Sequence, residues 1–140
     1  MRLKQILKPI ILALIGGTIY VLIELAWRGY SHISMFVLGA LCFVLLGGIN
    51  EFFSWELGMI WQMLIGASIV TVLEFIVGVI VNIWLGLEVW DYSNLPLNFM
   101  GQICLPFSLA WVLLSGIAIV VDDYLRYWLF GEEKPHYKIL

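Results

Sequence analysis

Long apolar runs separated by short polar stretches set the pattern of this chain. Four runs are read, from Pro9 to Trp27, Ile33 to Ile49, Leu57 to Leu87 and Met100 to Val121. A hydrocarbon layer about 30 Å thick is crossed by about 20 helical residues, so each run predicts one transmembrane helix. The runs are apolar on every face and lack the period-two alternation of a membrane barrel, which makes the predicted fold all-α. The expected architecture is a single transmembrane domain over residues 1–140 with helices at about 9–27, 33–49, 57–87 and 100–121, and a cytoplasmic tail at 122–140. The third run exceeds one straight crossing, so it should tilt, bend near Gly78 or Gly86, or reach past the headgroups. Arg2, Lys4 and Lys8 resemble the basic start of a signal peptide. The apolar run behind them is longer than a signal-peptide core and has no Ala-x-Ala cleavage site.

Composition agrees with the pattern: 63% of residues are hydrophobic and 12% charged, with a mean hydropathy of +1.02. Too few charges remain to cover a water-soluble core, so lipid is the solvent for most of the chain. The net charge is −3 and no basic patch points to nucleic acid. Cys42 and Cys104 sit inside apolar runs, where a thiol reads as a packing residue. His32 and His136 have no neighbouring ligand at helical spacing, and no metal or other cofactor is expected. Orientation follows from the basic residues. Arg2, Lys4, Lys8, Arg126, Lys134 and Lys138 fall on one side and only Arg28 on the other. This six-to-one split predicts a multi-pass cell-membrane protein with both termini cytoplasmic, and with the Arg28–His32 turn and the Glu88–Asn98 segment outside.

The first and third runs share a stretch. Leu14-Ile-Gly-Gly-Thr-Ile-Tyr-Val-Leu-Ile-Glu24 aligns without gaps on Leu64-Ile-Gly-Ala-Ser-Ile-Val-Thr-Val-Leu-Glu74, an offset of 50 residues. A weaker echo joins Gly39-Ala-Leu-Cys42 to Gly101-Gln-Ile-Cys104. Together they suggest two helix pairs related as parallel repeats about the membrane normal. The repeat makes Glu24 and Glu74 counterparts. From Lys8 to Glu24 the helix rises roughly 24 Å, which places both acids in the outer part of the bilayer. An ionisable side chain there costs about 2.5–3.5 kcal/mol unless it is paired or faces water or the bundle interior. The bland reading is a carboxyl group hydrogen-bonded between helices; the functional one is a binding site. Arg28 stands at i, i+4 from Glu24 in the favourable order. The turn-rich segment Glu88-Val-Trp-Asp-Tyr-Ser-Asn-Leu-Pro-Leu-Asn98 adds polar groups on the same side, although Trp90 and Tyr92 also read as interface anchors. The candidate substrate-binding set is therefore Glu24, Arg28, Glu74, Trp90, Asp91 and Tyr92, expected to form an outward-opening polar pocket with no catalytic residue assigned. Small residues such as Ala13, Gly17, Gly47 and Gly48 are read as close helix contacts, within the chain or between chains.

Trp90-Asp-Tyr-Ser93, Pro96, Asn98, Gly101, Ile103-Cys104, Phe107-Ser108 and Trp111 resemble the signature of small bacterial membrane proteins grouped as the Putative ABC-transporter permease (type IV) family. Glu24, Trp27-Arg-Gly-Tyr-Ser-His32 and Met35 are similar to that family's first outer turn. The resemblance spans nearly the whole chain and implies a transport subunit. It brings no substrate, mechanism or site residues with it. The chain has no GxxxxGK[ST] element to bind a nucleotide. Three classes of function follow. The first is a transport component binding a small polar or cationic solute, as a homo-oligomer or with a partner subunit. The second is an interaction or assembly protein, including a holin-like one. The third is an intramembrane enzyme using Glu24, Glu74 or Asp91, for which no Ser–His, Cys–His or metal-ligand set is present.

Overall fold

A computed structural model describes residues 2–53 and 55–140, without the Arg2 side chain counted above among the basic residues. Four helical segments in it are long and apolar enough to cross a membrane. α1 runs from Arg2 to Arg28 with Pro9 inside it, and stops where Gly29 takes a φ of +78°. α2 covers Ile33–Gly47. Its first turn is capped by His32, whose Nδ1 accepts the Ser34 amide at 3.1 Å. A break at Gly48 leads into the short α3, Ile49–Phe52. α4 spans Met59–Gly78 and continues as a π-helical segment, Val79–Trp84. The connection that follows contains a two-stranded antiparallel hairpin, β1 at Asn98–Phe99 and β2 at Ile103–Cys104. α5 runs from Leu105 to Phe130 and ends at Gly131, φ +67°.

α2 is the central element: it packs against α1, α4 and α5, while α1 pairs chiefly with α2 and α4 with α5. Its buried positions Met35, Leu38, Cys42 and Leu46, continued by Ile49 of α3, recur every three or four residues and form the spine of the core with Val70, Val81, Trp90 and Ile119. Glycines set the close approaches. A Cβ at Gly16 would collide with Phe43, at Gly17 with Phe36, and at Gly66 with Leu46 and Ser115. The opposite faces, with Leu22, Val72, Leu113 and Ile117, are exposed and apolar, as lipid-facing surfaces must be.

Helix limits differ from the apolar runs for physical reasons. α1 begins seven residues before Pro9, because backbone hydrogen bonding continues into the polar interface where hydropathy no longer reports it. The fourth run contributes to a helix only from Leu105, since residues 100–104 form the turn and second strand of the hairpin, with Gly101 at φ +71°. That helix extends to Phe130, past residue 121, because Asp122, Asp123 and Arg126 are paired inside the protein rather than released to solvent. The long third run leaves α-geometry directly after Gly78.

Candidate functional site

The turn between α1 and α2 and the connection between α4 and α5 meet at one end of the bundle, where Arg28 Nη1 donates to the Val89 carbonyl at 2.8 Å. Between them lies an open cleft of about 720 Å³. Trp27, Arg28 and Tyr30 line it from the first turn; Glu88, Trp90, Asp91, Tyr92 and Ser93 from the second; Asn82, Gln102 and Phe107 form its base. The π-helical segment shapes that base. Widening the helix by one residue per turn puts Asn82 where its Oδ1 accepts the amides of Val89 at 2.7 Å and Trp90 at 3.3 Å. Its Nδ2 donates to Gln102 Oε1 at 2.7 Å. Trp90 Nε1 in turn donates to the Gln102 carbonyl at 3.0 Å. Gly78 makes this possible, because a Cβ there would meet Gln102 Oε1 at 2.7 Å and Trp90 Cζ2 at 3.0 Å. Glu88 adopts a left-handed φ of +51° in the same connection, a conformation non-glycine residues hold only under surrounding constraint.

Four of the six sequence-selected residues, Arg28, Trp90, Asp91 and Tyr92, line the cleft. Glu24 and Glu74 do not; each is joined to it by one partner. Glu24 Oε2 pairs with Arg28 Nε at 2.6 Å, and the guanidinium lies 4.4 Å from the Tyr30 ring centre. Glu74 is 3% exposed. Its Oε2 accepts from the Tyr92 hydroxyl at 2.8 Å and its Oε1 from Trp111 Nε1 at 3.1 Å. Tyr20, within electrostatic reach of both Glu24 and Glu74, sets its ring 6.4 Å from that of Trp111. Tyr92 thus has its ring stacked on Phe107, with centroids 5.0 Å apart, and its hydroxyl turned down onto Glu74. Burial, and then the neighbouring Glu74 carboxylate, push the Tyr92 phenol above its ordinary range and keep it a hydrogen-bond donor. Asp91 is exposed, and hydrogen bonds from the Ser93 hydroxyl and amide hold its carboxyl below the usual carboxylate value.

Asn82, Gln102 and Trp111 escaped the sequence reading as site residues. Asn82 is one of two side-chain amides, with Gln62, inside the apolar run Leu57–Leu87, and that isolation was the available signal. A second polar cluster, at the other end of the bundle around Asp122, Asp123, Asn50 and Arg126, was also not singled out, because the two acids fall just past the apolar run.

A family profile described as Putative ABC-transporter type IV matches residues 10–134. The chain belongs to this family. It is a multi-pass, ABC-transporter-related membrane protein of the type IV family, and the residues forming the cleft and the Glu74 layer all fall within the matched region. No curated protein and no solved structure matches the chain. Within this type IV chain, the family's Trp90–Ser93 stretch forms one wall of the cleft and Trp111 holds Glu74 from below.

Proposed function

We propose that this protein is a transport component whose cleft opens on the outer face of the cell membrane and binds a small cationic or polar solute. The observation that carries the reading is the cleft's lining. Two acids, Glu88 and Asp91, stand beside Trp27, Trp90 and Tyr92, while the cation Arg28 is occupied by Glu24 and the Val89 carbonyl. Acidic groups next to aromatic faces favour a compact organic cation, through charge attraction and cation–π contact. Membership of an ABC-transporter-related family is consistent with transport. Without a GxxxxGK[ST] element, the chain works with a partner subunit that supplies ATP hydrolysis or as a homo-oligomer. The orientation, with both termini cytoplasmic, rests on the six-to-one division of Lys and Arg. The helix-pair repeat belongs to the same proposal, and its support is that Gly16 admits Phe43 of α2 while Gly66 admits Ser115 of α5 beside Leu46 of α2.

The test is a thermal-unfolding screen of the purified protein in detergent against quaternary ammonium compounds, primary amines, sugars and carboxylates. A cationic hit at about ten times its Kd raises the midpoint by several degrees, roughly 1.4 kcal/mol of linkage. Asp91→Asn should weaken that response. If no solute class shifts the midpoint but a membrane protein co-purifies in fixed ratio, an assembly role replaces the transport reading.

A further inference from the structure

The opposite end of the bundle carries charges that the cleft does not use. α5 turns Asp122 and Asp123 inward, 0% and 5% exposed, inside a segment apolar enough to cross a membrane. Asp122 Oδ2 accepts from Arg126 Nε at 2.7 Å. Asp123 Oδ2 accepts from Asn50 Nδ2 at 2.7 Å and from the Tyr137 hydroxyl at 2.8 Å. Gly47, at the last turn of α2, lies so close to the Asp122 carboxylate that no Cβ fits between them. The negative end of the α2 dipole therefore sits over an acid, which raises the negative potential there.

Two oxygens are left over. Asp122 Oδ1 and Asn50 Oδ1 are buried and have no hydrogen-bond partner among the described residues. The charge count is also unbalanced. Asp122 and Asp123 carry two negative charges when ionised, and one guanidinium, Arg126, stands against them, leaving one negative charge in excess. Arg126 is moreover shared with Glu51 at 3.4 Å and Glu132 at 3.7 Å. Lys8 pairs with Glu132, and those outer acids are partly exposed. A buried excess charge with unfilled oxygen donors is the setting in which a small cation binds.

We propose that Asp122 and Asp123, with the Asn50 side-chain oxygen, form a site for a small monovalent cation, sodium or a proton. The single excess charge favours a monovalent ion, and the all-oxygen donor set disfavours soft transition metals. Tyr137 covers Asp123 from the chain's last segment. That segment is held in place by Met59 and Ile60 amides donating to the carbonyls of Lys138 at 2.5 Å and Ile139 at 3.1 Å. The site is independent of the cleft.

The purified full chain is melted in sodium chloride and in choline chloride of equal ionic strength, and in choline alone from about pH 5 to about pH 8. If sodium is the ion, it raises the wild-type midpoint by about 3 °C over choline, and Asp122→Asn and Asp123→Asn do not respond. If the proton is the ion, sodium has no effect. The wild-type midpoint then falls by a similar amount as pH rises, and the fall is absent from both variants. His136 stands beside the exposed Glu133 and is unchanged in both variants, which therefore serve as its control. Should Asp122→Asn fail to fold because Arg126 loses its partner, Asp123→Asn carries the comparison. A wild type indifferent to both sodium and pH, or a response unchanged in the surviving variants, overturns the site.

Discussion

At the scale of single residues, Glu74 is the group whose role is most sharply testable. It is buried on lipid-crossing α4 yet receives one donor on each oxygen, from Tyr92 and Trp111, so its polar cost is offset by the connection and by α5 together. Glu74→Gln keeps an acceptor and nearly the same volume, and its unfolding midpoint should stay within a few degrees of wild type. Glu74→Leu leaves two partly buried donors unpaired, at up to about 1–3 kcal/mol each, and should melt lower in detergent. A Leu variant more stable than wild type, with solute response unchanged, would reduce Glu74 to a packing position. Asp91 gives a pH prediction. Its folded-state carboxyl titrates below the ordinary value because Ser93 donates to the ionised form. Its contribution to loop order is therefore present above the unfolded value, about 3.9, and is lost as pH falls through the lower folded value. An NMR titration of the Asp91 carboxyl should show a midpoint below about 3.9, and Ser93→Ala should move it back up. The sequence exposed Glu24, Arg28 and Glu74 readily, since an ionisable residue in an apolar run is conspicuous. Trp111 and Gln102 were not conspicuous, because their roles depend on neighbours 37 and 20 residues away, Glu74 and Asn82.

At the scale of elements, the informative piece is the change from α to π geometry after Gly78. An apolar run too long for one straight crossing signalled an irregularity, but only the folded chain shows its use. It delivers one amide side chain to two backbone N–H groups of the following connection and to Gln102. Asn82→Ala should therefore loosen residues 85–92 more than the helix itself. Hydrogen–deuterium exchange is expected to quicken about tenfold at the Val89 and Trp90 amides, equivalent to roughly 1.4 kcal/mol of local stability, with the middle of α4 little changed. Uniform quickening along all of α4 would mean that Asn82 supports the helix and not the cleft floor.

For the whole molecule, the first prediction is orientation. A single cysteine placed at Asn94, with Cys42 and Cys104 replaced, should react with an impermeant maleimide in intact cells, and a reporter fused after Leu140 should be active in the cytoplasm. Protection of position 94 would reverse the topology and turn the cleft inward. The number of membrane crossings, their order and the short turn between the first two were determined by the sequence alone. Hydropathy is a local sum along the chain and needs no knowledge of neighbours. The tertiary structure decided which polar groups meet: Glu74 with Tyr92 and Trp111, Asn82 with Gln102, and Asp123 with Asn50 and Tyr137. Those pairings depend on how each helix is rotated about its axis and which helix it packs against. In a chain whose helices are apolar on nearly every face, the hydrophobic pattern leaves that rotation open; glycine contacts and buried hydrogen bonds choose it.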